Sequence, residues 1–167
     1  EEVCVKYVSE EGDDETGNGT EENPYRTIQR AIDVANNNDV IFVSSGHYLG
    51  PVEFPDFNIH LMGEDSSNTF IDGDSQNRGI LVENGGGGII SGFTIENCET
   101  PEPDIDEYGG DGAGILILDA GDVEIKECKF IGAHSFSNGA AIAVWNSDLT
   151  VDNCEFDDNH ADNGGGA

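Results

Sequence analysis

The sequence predicts an all-β fold, a solenoid of stacked coils whose short strands pair in parallel from one coil to the next. The main observation is an internal repeat. Residues 112–130 and 139–156 share one pattern of glycine, apolar run and cysteine, and corresponding positions lie 26 or 27 residues apart. A repeat of this length made of short strands is typical of stacked coils. An antiparallel β-sandwich also has many short strands, but gives no reason for residue identity to recur at one period.

Apolar and polar side chains alternate within both copies, which is the second observation. Side chains on a strand point to opposite faces in turn, so one face is buried and the other is solvated. The alternation breaks near Glu127 and Asn153, where the chain is expected to turn a corner. The expected core residues of the two copies are Val123, Ile125, Cys128 and Phe130, and then Leu149, Val151, Cys154 and Phe156.

The N-terminal part, residues 1–38, is expected to close the first coil. Residues 2–9 alternate as a short strand, and residues 10–23 are a polar, acidic loop. A short amphipathic helix follows over residues 25–35, with Asn23 as its N-cap. Laid across the first coil, this helix would cover an open apolar end and unpaired strand edges.

The coils are expected over residues 39–167, and the whole chain, residues 1–167, is expected to be a single domain. Residues 85–88 are a tight glycine run whose sequence does not match a phosphate-binding loop. Strands are predicted at residues 40–43, 51–54, 59–62, 69–71 and 80–82.

The next coil contains an insertion. Residues 93–98 align with residues 123–128, which places Cys98, Cys128 and Cys154 at the same position of successive coils. Residues 99–111 are acidic and must leave the coil as a loop.

The charge of the chain is extreme, with 35 acidic and 6 basic residues and a net charge of −29. Such a surface repels nucleic acid and anionic membranes, so neither a nucleic-acid partner nor membrane insertion is expected. No apolar run is long enough to span a bilayer. A surface of this kind offers many oxygen ligands to hard cations such as Ca²⁺.

A calcium site is predicted in the insertion. Its candidate ligands are Asp104, Asp106, Glu107 and Asp111, whose spacing differs from that of a helix-loop-helix calcium hand. A second acidic group is Asp13, Asp14 and Glu15. The alternative is that these loops are solvated and are only screened by salt.

Several features favour export. The chain begins at Glu1 without Met, which suggests a processed N-terminus, and Asn18-Gly19-Thr20 is a glycosylation sequon with Asn18 as the acceptor. A secreted or cell-surface location is therefore expected.

An even number of cysteines in an exported chain allows disulfides. The candidates are Cys4, Cys98, Cys128 and Cys154. The prediction pairs Cys98 with Cys128 within the chain and Cys4 with a cysteine of a neighbouring molecule. A buried column of free thiols is the alternative, because free Cys packs as a small hydrophobe. The four histidines, His47, His60, His134 and His160, are expected to be surface residues of unrelated turns.

Beyond these patterns, several segments resemble a known family. Residues 7–9, 23–32, 39–43, 46–50, 71–73 and 91–97 resemble right-handed parallel β-helix proteins of the pectate-lyase-like superfamily. The Asn-Cys-x-Phe and Asn-Gly-Gly-Gly-Ala segments resemble repeats of polymorphic outer-membrane and adhesin-type β-helices. The resemblance implies a right-handed parallel β-helix with a short N-terminal capping α-helix. It does not specify an activity, because that superfamily includes both polysaccharide-active enzymes and non-catalytic surface proteins.

The favoured function is a non-catalytic, structural or adhesive protein, and no residue is assigned a catalytic role. The alternative is a polysaccharide lyase or glycoside hydrolase, or the N-terminal portion of one. A lyase of this superfamily would resemble its relatives in using Ca²⁺ and a basic residue, but a surface at −29 repels a polyanionic substrate. A carbohydrate-binding module would need exposed aromatic side chains, for which Trp145 and Tyr108 are the candidates.

A third copy of the repeat opens at residues 163–167. The coil before it is therefore expected to have bare strand edges and an open apolar end. Either the chain is part of a longer solenoid, or a neighbouring subunit completes the coil. In the second case residues 2–9 of the neighbour would add as a strand, and repetition would make a filament.

Overall fold

The computed structural model describes residues 3–100 and 110–165, in which short strands dominate and one short helix, α1 (Ile28–Asp33), is present. The strands are β1 (Val5–Val8), β2 (Val40–Val43), β3 (Gly46–Leu49), β4 (Val52–Glu53), β5 (Asn58–Gly63), β6 (Thr69–Asp72), β7 (Ile80–Glu83), β8 (Gly87–Ser91), β9 (Thr94–Glu96), β10 (Ile115–Leu118), β11 (Val123–Lys126), β12 (Lys129–Ile131), β13 (His134–Ser135), β14 (Ile142–Trp145), β15 (Leu149–Asp152), β16 (Glu155–Asp157) and β17 (His160–Ala161).

The strands form the stacked coils that the repeat predicts. One sheet has the order β1-β2-β5-β8-β11-β15, a second β4-β7-β10-β14 and a third β3-β6-β9-β12-β16, with β13 and β17 as a further pair. Every pairing between these strands is parallel, and each joins one coil to the next. The predicted parallel β-solenoid is confirmed.

The register confirms most of the predicted alignment but corrects one segment. Ile115 lies between Ile80 and Ile142, as the repeat requires. However, Thr94 pairs with Lys129, so it is Phe93 that lies beside Cys128. The alignment of residues 93–98 with residues 123–128 is therefore wrong by one strand.

The glycine run explains this error. Strand β8 includes Gly87 and Gly88, and Gly88 pairs with Val123. A Cβ at Gly88 would collide with the Ile59 carbonyl oxygen, and its φ of 110° also favours glycine. The strand was not predicted, because glycines lack the side chains that could show an alternating pattern.

The helix is shorter than predicted and begins later. Its N-cap is Thr27, whose side chain accepts a hydrogen bond from the Arg30 amide at 3.2 Å, so the predicted cap at Asn23 is wrong. The preceding segment instead runs along β1. The Tyr7 amide donates to the Gly19 carbonyl at 2.9 Å, and the Tyr25 amide donates to the Tyr7 carbonyl at 3.0 Å. The outer edge of β1 is thus covered.

The helix nevertheless packs on the first coil, as expected. Ile28, Ala31 and Ile32 are buried in the same core as the coil strands, and α1 lies against β1, β2 and β4. Burial of an apolar helix face at this end removes apolar surface from water.

The corners between strands recur in columns with left-handed backbone conformation. Glu127 and Asn153 both have φ of 52°, which confirms the predicted corner. Left-handed residues also follow β7, β10 and β14 at corresponding positions, namely Asn84, Asp119 and Asn146. Asparagine and aspartate tolerate this conformation better than most residues, which accounts for their recurrence at these corners.

Candidate functional site

The predicted calcium ligands fall partly outside the described residues, where Asp104, Asp106 and Glu107 lie. Asp111 is described and buried. Its Oδ1 accepts hydrogen bonds from the Asn138 amide at 2.8 Å and from Asn138 Nδ2 at 3.1 Å. Its Oδ2 accepts one from Trp145 Nε1 at 3.0 Å. Asp111 therefore links one coil to the next through both carboxylate oxygens. The calcium site of which it is a predicted ligand stays a prediction.

The two described ends of the insertion lie side by side. Thr100 is buried, and its Oγ1 donates to the Gly110 carbonyl at 3.2 Å. The chain therefore enters and leaves the undescribed part of the insertion at adjacent points. Of the proposed carbohydrate contacts, Tyr108 lies outside the described residues, and the Trp145 indole is 39% exposed while it donates to Asp111.

The second acidic group also serves the fold. Asp14 accepts hydrogen bonds from the Arg26 amide at 2.8 Å, the Thr27 amide at 3.0 Å and Thr27 Oγ1 at 2.7 Å. Partial burial opposes ionisation of Asp14, but the Thr27 and Arg26 hydrogen bonds outweigh it and lower its pKa. Asp13 accepts the amides of Glu15 and Thr16, each at 2.8 Å, and these bonds lower its pKa. Both carboxylates hold the loop that precedes α1.

Cys98, Cys128 and Cys154 carry free thiols. The predicted Cys98–Cys128 disulfide is therefore not formed, and the register explains why. Cys98 lies one strand beyond the column that Cys128 and Cys154 share. Of the alternative column of three free thiols, only Cys128 and Cys154 lie in register, and Cys154 is half-buried. The predicted bond between Cys4 and a neighbour stays a prediction.

The three thiols differ in acidity because their surroundings differ. Burial raises the pKa of Cys98 to about 12. A hydrogen bond from Cys128 lowers the pKa of Cys154 to about 7, and the same contact together with burial raises the pKa of Cys128.

Asn18, the predicted glycosylation acceptor, is exposed, and its Oδ1 accepts hydrogen bonds from the Thr20 amide and hydroxyl.

A cleft that the sequence did not predict lies between the N-terminal loop, α1 and the first coil. Its volume is about 360 Å³. Its charged and exposed lining includes Glu10, Arg26 and His47, and Leu49 is 73% exposed at its rim. The segments that form it are far apart in sequence, so no local pattern could have indicated it.

The coil formed by β14, β15 and β16 presents core side chains to solvent. Val151 is 42% exposed and Phe156 is 40% exposed, whereas their partners one coil earlier, Ile125 and Phe130, are fully buried. Phe156 stacks on Phe130 at 5.1 Å between ring centroids, so its other face is open. Within residues 3–100 and 110–165, each of these strands pairs on one side only.

The structure also brings together two histidines that were expected in unrelated turns. His134 and His160 lie in register on β13 and β17, and Asp162 lies beside both. The signal that could have found them is the repeat itself, because they occupy the same position 26 residues apart.

Comparison with known proteins identifies the family. In the described part of the chain, no helix is long and apolar enough to cross a membrane. Neither the curated proteins nor the solved structures include a significant match. The family model described as a right-handed beta helix region matches residues 31–166, which includes all the strands from β2 to β17. With this match and its ladder of parallel strands, the chain belongs to the right-handed β-helix family.

Proposed function

We propose that this protein is a structural or adhesive β-solenoid, secreted or displayed at the cell surface, that associates with a second copy of itself through the coil of β14, β15 and β16. The observation that supports this function most directly is the exposure of Val151 and Phe156 at core positions of that coil. Unpaired strand edges beside exposed apolar side chains are a template for another chain.

The two ends of the described solenoid differ, and the difference favours a particular mode of association. At the N-terminal end, α1 covers the core and residues 18–25 cover the outer edge of β1. Residues 2–9 are the segment expected to be donated by a neighbour. Over Val5–Val8 this segment is already paired with strands or loop backbone of its own chain on both sides. Two copies that meet through the same open coil make a two-fold dimer instead of a filament.

Electrostatics sets the condition for this association. Each chain carries a net charge of −29, so two copies repel each other at low ionic strength. Salt shortens the range of this repulsion and leaves the apolar contact in place. The fraction of dimer is therefore expected to rise with the salt concentration.

Sedimentation velocity at low and high salt tests the proposal. The wild-type chain is expected to dimerise at high salt, and the V151D and F156D variants to remain monomeric. L49D is the matched control, because Leu49 is more exposed but lies at the other end of the solenoid. A wild-type protein that stays monomeric, with an intact native mass larger than this chain, would instead support further coils on the same polypeptide.

The second candidate function, recognition or processing of a polysaccharide, is supported by the cleft beside α1. Its volume of about 360 Å³ falls within the range of small-molecule sites. Arg26, Glu10 and His47 supply polar groups that sugars use for orientation. Calorimetry and an activity screen with neutral and acidic oligosaccharides test this candidate. Binding that R26A abolishes would support it, and equal binding by R26A would exclude this cleft.

A further inference from the structure

His134, His160 and Asp162 form a compact group on the side of the solenoid. Their backbones are held by hydrogen bonds between coils: the His134 amide donates to the Cys98 carbonyl at 2.9 Å, the His160 amide to Ala133 at 2.8 Å and the Asp162 amide to Ser135 at 3.0 Å. The two imidazole rings stack with centroids 5.7 Å apart and planes 20° from parallel. The ladder therefore fixes the backbones from which all three side chains extend.

Two of the three distances within this group match those between neighbouring ligands of one metal ion. The Nε2 atoms of His134 and His160 each lie 3.3 Å from the same Oδ1 of Asp162, and the three ligand atoms all lie within 4.8 Å of one another. Zinc binds imidazole nitrogen and carboxylate oxygen at about 2.0–2.2 Å in tetrahedral geometry, which places neighbouring ligand atoms about 3.3–3.5 Å apart.

A second carboxylate faces the opposite side of one ring. Glu99 Oε1 lies 3.8 Å from His134 Nδ1, the nitrogen that faces away from Asp162, and the two residues are joined by a bridge between coils. A carboxylate behind a metal-binding histidine orients the ring and raises the basicity of the ligating nitrogen. At 3.8 Å Glu99 does not hydrogen-bond His134, and we expect it to become a positioning residue only if the two side chains draw closer when metal binds.

We propose that His134, His160 and Asp162 bind a divalent transition metal such as Zn²⁺, through the two Nε2 atoms and one carboxylate oxygen, with water completing the coordination. Two imidazoles and one carboxylate favour a transition metal over Ca²⁺, which prefers an all-oxygen site. This site differs from the calcium site predicted in the insertion in both its residues and its metal class. The proposal does not rest on dimerisation, although His160 and Asp162 follow β16 in the same terminal coil.

Calorimetric titration of the whole chain with Zn²⁺ alone tests this site. Excess Ca²⁺ is kept in the buffer to occupy weak sites on the acidic surface. We expect one strong Zn²⁺ site per chain, lost in H134A/H160A and weakened at least tenfold in D162N. E99A is expected to weaken binding about tenfold, the lower end of the effect of residues behind metal ligands.

The control is H60A, which removes a partly buried histidine on β5 that is not part of the group formed by His134, His160 and Asp162. Circular dichroism melts without metal establish that each variant is folded. D162N is expected to fold like the wild type, because Asp162 is exposed. Co²⁺ in place of Zn²⁺ gives a second readout, because its visible spectrum reports nitrogen ligation and coordination number. Equal Zn²⁺ affinity in the wild type and in H134A/H160A, or no strong site in the wild type, would overturn the proposal.

Discussion

Asp39 shows how a single buried carboxylate can hold the N-terminal strand in place. Its side chain is almost completely buried, and it accepts the Cys4 and Asn36 amides at 2.9 Å each, with Lys6 Nζ at 3.3 Å. Burial alone would raise the pKa of Asp39, but the hydrogen bonds from Asn36 and Cys4 and the charge of Lys6 outweigh it and lower the pKa. The ionised form is therefore part of the folded structure.

We predict that Asp39→Asn destabilises the fold by about 1.5–3 kcal/mol at neutral pH, because hydrogen bonds to a charged acceptor are lost and the amide group faces two N–H donors. The folded pKa lies below the unfolded value of about 3.9. The contribution is therefore present above that value and is lost as the pH falls through the folded pKa. Urea unfolding between pH 7 and pH 3 measures the effect. The exposed Asp56→Asn is the control, and equal losses in both variants would contradict the prediction.

The thiols supply a second prediction at the residue scale. Cys154 is half-buried with a pKa lowered to about 7 by the hydrogen bond from Cys128, whereas burial raises the pKa of Cys98 to about 12. Because the thiolate is the reactive form, Cys154 should alkylate far faster than Cys98 at pH 7. Mass spectrometry of peptides after timed iodoacetamide treatment measures both rates. C128S should slow the reaction of Cys154, and equal rates at Cys98 and Cys154 would contradict this account.

At the scale of the element, side chains at the same strand position in successive coils contribute differently to the free energy of unfolding. Ile125 on β11 and Val151 on β15 are partners in the ladder, yet Ile125 is fully buried and Val151 is 42% exposed. Strand β11 is covered on both sides by β8 and β15, whereas β15 is the last strand of its sheet among the described residues. The two positions are equivalent in the sequence repeat, but the two side chains differ in how much of their surface is exposed.

We therefore predict that Ile125→Ala costs about 2–5 kcal/mol, because it removes buried methyl groups and leaves a cavity. Val151→Ala should cost less than about 1 kcal/mol in the monomer, where part of the side chain is already solvated. Chemical unfolding at low salt, where dimerisation is suppressed, measures both values. Similar losses at the two positions would show that the terminal coil is covered.

For the molecule as a whole, the dominant physical feature is self-repulsion. A net charge of −29 on a slender stack of coils destabilises the folded state at low ionic strength. The melting temperature should rise with NaCl, since the Debye length shortens from about 30 Å at 0.01 M to about 3 Å at 1 M. Thermal melts over this range measure the effect, and a flat dependence would contradict it.

The calcium site expected at Asp104, Asp106, Glu107 and Asp111 stays a prediction that the same melts can test. If the insertion binds Ca²⁺, millimolar Ca²⁺ at constant ionic strength should raise the melting temperature by mass action. Mg²⁺ at the same concentration is the control. An equal response to both ions would leave only general screening by divalent cations.

Much of the fold followed from the sequence because a solenoid repeats its local pattern. The identity of Ile115 with Ile142 and the alternation around Ile125 determined the parallel stack and its register, since side chains on neighbouring coils must lie on one another. The exception was β8, whose glycines carry no side chain from which a pattern could be recognised. Because β8 was not predicted, Cys98 was aligned one strand away from its true position. The predicted Cys98–Cys128 disulfide was wrong for the same reason.

The candidate sites depended far more on tertiary structure. The sequence by itself determined the acidic surface, the corner at Glu127 and the repeated position of the two histidines. Only the three-dimensional stack decided that Asp162 reaches both imidazoles, that Asp111 is a buried link between coils, and that Val151 is exposed where Ile125 is not. The physical reason is that periodicity specifies which positions are equivalent. Burial and ligand geometry depend on what lies on the next coil, and on whether a next coil is there.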